Sequence, residues 1–170
     1  MNLDELKKAK ERGLNRIYPK KIKITVGTAT CGLATGAGDV LKAIKAEVEK
    51  KKLDFIVGET GCIGFCQKEP ILDVYMPGFP RIYYAEMTPA TAVELVSALA
   101  KGQHKPELAL GKVLTDTNLI DGFVYNYSHE KVPLDVAKIP QLSDLPFYRK
   151  QLKIVLRNCG LRAMHLTQVT

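Results

Sequence analysis

Cys62 and Cys66 stand with three residues between them in the stretch Glu59-Thr60-Gly61-Cys62-Ile63-Gly64-Phe65-Cys66-Gln67-Lys68-Glu69-Pro70. Gly61 and Gly64 let a backbone curl and bring its N–H groups close to a sulfur or an inorganic ion. Pro70 ends the loop and turns the chain into an extended segment. Apolar runs flank the stretch at residues 53–57 and 71–75, and both read as strands. A cysteine loop between two strands is a place where a scaffold carries chemistry. Thiols at this spacing have three uses. They can be half of a metal or iron–sulfur site, which needs partners elsewhere. They can be a redox thiol pair. They can be small buried hydrophobes with no chemistry. The flanking glycines, and a further cysteine at Cys31, turn the reading toward a cluster.

The elements around these thiols are read from periodicity. Residues 22–26, Ile22-Lys23-Ile24-Thr25-Val26, alternate apolar and polar and predict a strand with one buried face. A loop of small residues runs from Gly27 to Gly36 and carries Cys31. Its glycines fit neither Gly-x-x-x-x-Gly-Lys-Ser/Thr nor Gly-x-Gly-x-x-Gly, so it is not read as a phosphate cradle. Residues 37–52 predict an amphipathic helix with Val40, Leu41, Ile44 and Val48 on its apolar stripe. Residues 71–76 and 81–85 predict a hairpin joined by Pro77-Gly78-Phe79-Pro80. Thr88 caps a further helix with Pro89 at its first position, Ala92, Val93, Val96 and Leu99 buried, and Gly102 at its end.

The order strand, helix, strand, strand, strand, helix predicts a parallel pair with a right-handed crossover and an antiparallel edge. The expectation is an α/β domain over residues 21–102: a thioredoxin-like mixed sheet with flanking helices. In that topology the Cys31 loop and the Cys62–Cys66 loop share one end of the sheet. Residues 1–20 read as an N-terminal helix (3–13, stopped by Gly13) and a linker carrying Pro19. Residues 103–170 carry Pro106, Pro133, Pro140 and Pro146 with scattered aromatics, and read as an extended arm that docks on a partner.

Composition bounds the rest. The 170 residues, 46% of them hydrophobic, suffice for one core plus extensions. Four cysteines in a chain this long do not make a disulfide scaffold. The charged start, Met1 to Lys8, has no apolar signal core, and no apolar run is long enough to span a bilayer. The expectation is a reduced, cytoplasmic protein with no membrane insertion. Much of the net charge of +7 lies at Lys7, Lys8, Lys10, Arg12, Arg16, Lys20, Lys21 and Lys23, with a second group at Arg149, Lys150, Lys153 and Arg157. These residues are not interleaved with aromatics in a recognition pattern. A solvated helix face, or a surface facing an acidic partner protein, is therefore expected in place of nucleic acid.

Three segments together carry a resemblance: Val26-Gly27-Thr28-Ala29-Thr30-Cys31 with Gly36-Ala37, Glu59 to Cys66 with Glu69-Pro70, and Thr88-Pro89. Over residues 21–102 the chain resembles the thioredoxin-like [2Fe–2S] ferredoxin family, which includes the small iron–sulfur subunit of bacterial NADH dehydrogenase and matching subunits of NAD(P)-linked hydrogenases and formate dehydrogenases. Residues 146–160 are similar to the segment that leads into the flavin- and NADH-binding domain of those enzymes, a domain not expected in these 170 residues. The resemblance implies a [2Fe–2S] cluster held by two cysteines from each loop. Cys62 and Cys66 match the second pair, and Cys31 matches the second cysteine of the first pair. Its first cysteine corresponds to Val26, which cannot be a ligand. Cys159 fills the gap only if the C-terminal arm folds back over the loops.

The resemblance implies two functions. One is an electron-transfer module that relays electrons through a cluster on Cys31, Cys62 and Cys66, with Gly61 and Gly64 giving the cofactor its backbone N–H groups. Its partners would be a flavin/NADH-binding subunit and other iron–sulfur subunits, which would carry FMN and NAD. The other is a cluster-free docking module of the same kind of complex. No substrate turnover is expected from this chain alone. A thiol–disulfide enzyme is disfavoured, because Cys-x-x-Cys is missing where a helix starts after a strand. His104, His129 and His165 lie outside the domain and read as surface-loop histidines.

Overall fold

The computed structural model describes residues 2–113, 115–117, 124–126 and 133–152. Helix α1 (Leu3–Ile17) opens with a capping box between Asn2 and Glu5, runs straight through Gly13 and stops at Tyr18, one residue before Pro19. The expected stop at Gly13 fails because that glycine is not needed for any turn. A mid-helix glycine destabilises by only about 1 kcal/mol relative to alanine. No residue of α1 is buried, and it meets the domain through its C-terminal end.

Strand β1 (Lys23–Gly27) is followed by the short helix α2 (Thr30–Ala34), where the sequence suggested only a loop, and then by α3 (Ala37–Lys50). Strand β2 (Ile56–Thr60) begins three residues later than expected. Leu53 and Phe55 do pack against the core, but from the turn that leaves α3, where Lys52 takes a positive φ of 51°. The hairpin is β3 (Leu72–Tyr75) and β4 (Arg81–Tyr84), and α4 (Pro89–Leu99) starts at Thr88 with a reciprocal cap to Thr91. Leu95, in place of Val93, joins Ala92, Val96 and Leu99 on its buried side.

β1 and β2 are parallel, β1 and β3 antiparallel, β3 and β4 antiparallel, in the order β2-β1-β3-β4-β5. The first four strands, with β3 alone reversed, make the thioredoxin-like arrangement. Strand β5 (Ala109–Val113) extends it, pairing antiparallel with β4, so the sheet continues past residue 102. A small hairpin of β6 (Thr115–Thr117) and β7 (Val124–Asn126) comes next. The chain then returns through α5 (Leu134–Ala137) and α6 (Pro146–Arg149). This return runs along the outer edge of β5, where Lys112 N–H donates to Pro140 O at 2.8 Å and Lys112 Nζ to Val136 O at 3.2 Å.

Helices α3 and α4 cover one face of the sheet. Ile24, Val26, Leu72, Val74, Ile82 and Tyr84 point into that core. The other face is also closed, by the cysteine loop and by residues 142–148 around Ile71 and Tyr83. This differs from the expected strand with one solvated face. Lys23, expected among the exposed basic residues, is buried, with Nζ donating to Arg16 O at 2.9 Å. Burial lowers its pKa, against the opposing pull of the Asp73 carboxylate. Asp73 pairs with Arg81 at 2.5 Å, both fully enclosed, and Arg81 lies over the Tyr75 ring. Two buried charges hold this way only because each answers the other.

Among the described residues no helix is long and apolar enough to cross a membrane.

Candidate functional site

The parallel pairing of β1 and β2 decides where the thiols go. Gly27 is level with Thr60, so both strands exit at the same end of the sheet. The two exits are tied together: Thr28 N–H donates to Thr60 O at 3.0 Å and Thr28 Oγ1 to Glu59 Oε2 at 3.1 Å. Cys31 lies four residues past Gly27, in the first turn of α2, and Cys62 lies two residues past Thr60. Gly32 allows α2 to lie close against β1. A Cβ there would fall 2.2 Å from Gly27 O, a distance no side chain tolerates.

In the second loop the backbone bends at Gly64, whose φ is +89°. That bend returns Cys66 to Cys62, and the two sulfurs stand 3.5 Å apart. Gly64 N–H donates to Cys62 Sγ at 3.2 Å. Gly61 needs no special conformation and has open space where a Cβ would be. Burial pushes the Cys62 thiol pKa up, the neighbouring Cys66 and Glu69 add to this, and the Gly64 N–H opposes it.

Two further residues face this loop, and sequence reasoning missed both. Glu69 is buried, and its Oε2 accepts from Ile71 N–H at 2.7 Å. Burial raises its carboxyl above the usual range, against the Ile71 N–H and the Cys62 thiol, which hydrogen-bond it. Tyr148, reached from the far end of the chain, is also buried. Its phenol is pushed up first by burial and then by Cys62, Glu69 and Cys66. Phe147 stacks on Phe65, ring centroids 4.0 Å apart and planes 3° from parallel. No local signal announces these contacts; Glu69-Pro70 was read as the end of a loop and as part of the resemblance, not as a group facing the thiols. Behind the loop a cavity of about 10 Å³, lined by Thr25, Gly27, Thr60, Ile63 and Glu69 among others, has room for a single water. The Thr25 hydroxyl at its wall is buried without a hydrogen-bond partner among the described residues.

The structure thus brings Cys62 and Cys66 together and sets Cys31 on the adjacent exit. Among the described residues, no three Cys, His, Asp or Glu side chains converge into a group able to hold a metal ion. Val26 is fully buried in the core, level with Glu59 on one side and Leu72 on the other. A [2Fe–2S] cluster takes four ligands. Were such a cluster bound, Cys62 and Cys66 would supply two of its ligands and Cys31 a third. Cys159, His129 and His165 lie outside the described residues. His104 does not: it is buried, not a surface-loop residue, with Nδ1 2.9 Å from the Tyr84 hydroxyl and its pKa lowered to about 4 by burial.

No model of a known protein family matches the chain. A subunit of the NADP-reducing hydrogenase of Solidesulfovibrio fructosivorans, HndB, is 27% identical over 99 residues, which are 56% of this chain and 79% of that one. A thioredoxin-like [2Fe–2S] ferredoxin from Aquifex aeolicus superposes with a TM-score of 0.48 at 19% identity, covering 55% of this chain and 93% of that one. A second structure of that wild-type ferredoxin gives the same TM-score and covers 99% of its own length. The chain resembles the thioredoxin-like [2Fe–2S] ferredoxins.

Proposed function

We propose that this chain is an electron-transfer subunit of a hydrogenase-type, NAD(P)-linked oxidoreductase complex, with Cys31, Cys62 and Cys66 as ligands of a [2Fe–2S] cluster. The observation that carries this reading is the Cys62–Cys66 pair, 3.5 Å apart, with a backbone N–H already directed at one sulfur. Such N–H···S bonds, with burial, tune an iron–sulfur site. When bound, the cluster would take up and return single electrons. The chain's own residues hold the sulfurs in place and exclude water from one side of the loop through Phe65, Phe147 and Tyr148. The fourth ligand then comes from Cys159 or from a partner chain.

The partners in this reading are a flavin- and NAD(H)-binding subunit and other iron–sulfur subunits, in the cytoplasm. Residues beyond β5 provide the docking surface, where Leu134 and Leu152 are 83% and 86% exposed. The test is electron paramagnetic resonance of the anaerobically purified, chemically reduced protein. A cluster signal that vanishes in Cys62→Ser supports the reading, and its absence from the native protein removes it. A second reading, a docking module without a cluster, is favoured by the buried Val26 at the missing ligand position.

A further inference from the structure

We propose that Cys62 and Cys66, when no metal occupies them, form a two-electron redox site that closes to a disulfide within the loop. The proposal concerns the metal-free protein and stands independently of the cluster assignment. The sulfurs are 3.5 Å apart, and a disulfide needs about 2.05 Å. The remaining closure of about 1.5 Å falls on a loop that contains Gly64, at φ +89°, and Gly61, which has open space on its Cβ side. Access is unequal in a useful way: Cys66 is exposed and Cys62 is partly covered.

The chemistry is thiol–disulfide exchange with a low-molecular-weight disulfide as oxidant. The Cys66 thiolate attacks one sulfur of that disulfide and displaces a thiolate. The Cys62 thiolate then attacks Cys66 Sγ and displaces the second. The protein loses two electrons and the oxidant gains them, while the two thiol protons end on the two released thiols. Phe65 lies between the cysteines and stacks on Phe147. Closing the bond therefore acts on the contact that holds the C-terminal return against the loop.

The test uses the full chain, stripped of iron by a chelator under reducing conditions and then exposed anaerobically to oxidised glutathione. After alkylation and trypsin digestion both cysteines fall in one peptide, residues 53–68, and Cys31 falls in another. The expected result is a 53–68 peptide about two mass units lighter and free of alkyl groups, with the Cys31 peptide alkylated. In Cys62→Ser the remaining Cys66 carries glutathione instead. A doubly alkylated, glutathionylated or Cys31-linked 53–68 peptide in the native protein overturns the proposal. The iron content of the starting sample, measured separately, reports on the cluster and leaves this outcome unaffected.

Discussion

The Cys62 and Cys66 sulfurs meet because Gly64 takes a backbone conformation that other residues rarely adopt. In the proposed cluster each thiolate is indispensable, so Cys31→Ser, Cys62→Ser and Cys66→Ser each reduce bound iron to background while the domain stays folded. Iron assay alongside circular dichroism checks this, and full iron in Cys62→Ser contradicts it. His104 makes a different prediction. Its folded pKa of about 4 lies below the roughly 6.5 of an unfolded histidine. The unfolded chain thus takes up the proton first, so His104 adds full stability above about pH 6.5 and loses it as pH falls toward 4. At about pH 5 the loss is about 2 kcal/mol relative to neutral pH. Urea unfolding of His104→Gln at the two pH values is expected to show that much less pH dependence, and an unchanged slope contradicts the assignment. The pairing of Cys62 with Cys66 was open to a reading of their spacing, whereas Cys31 was matched to them through the resemblance. Glu69 and His104 were not, because what distinguishes them is burial by segments distant in sequence.

At the scale of elements, α2 is held against β1 by the absence of a side chain at Gly32. Helix propensity alone predicts that Gly32→Ala stabilises by about 1 kcal/mol. The 2.2 Å approach to Gly27 O predicts the reverse, a loss of about 1–3 kcal/mol, as overpacking gives elsewhere. Chemical denaturation decides between the signs. The return of the chain onto the cysteine loop rests on Phe147 and Phe65. A double-mutant cycle of Phe65→Leu and Phe147→Leu is expected to show a coupling of about 0.5–1.5 kcal/mol. No coupling means the stack does not hold the segment. Elements with local chemistry were readable: Thr88-Pro89 announced α4, and the stripe of Val40, Leu41 and Ile44 announced α3. β2 was displaced because Leu53 and Phe55 look like strand residues, whereas pairing with β1 sets the true register. Ala109-Leu110-Gly111-Lys112-Val113 lacks clear alternation, so β5 emerged only from its place beside β4.

For the molecule as a whole, a thioredoxin-like sheet closed on both faces presents two loops at one end, one with a paired set of thiols and one with a single thiol. The order of elements made the sheet legible. What closes its second face was not, since Lys23 read as an exposed basic residue, whereas the C-terminal end of α1 covers it. In the proposed function this scaffold holds a binuclear cluster despite the valine at position 26. Iron and acid-labile sulfide content of anaerobically purified protein, with its visible spectrum, tests it most directly. About two irons and two sulfides per chain, with thiolate-to-iron charge-transfer bands, are expected. A folded, colourless, iron-free protein would contradict it.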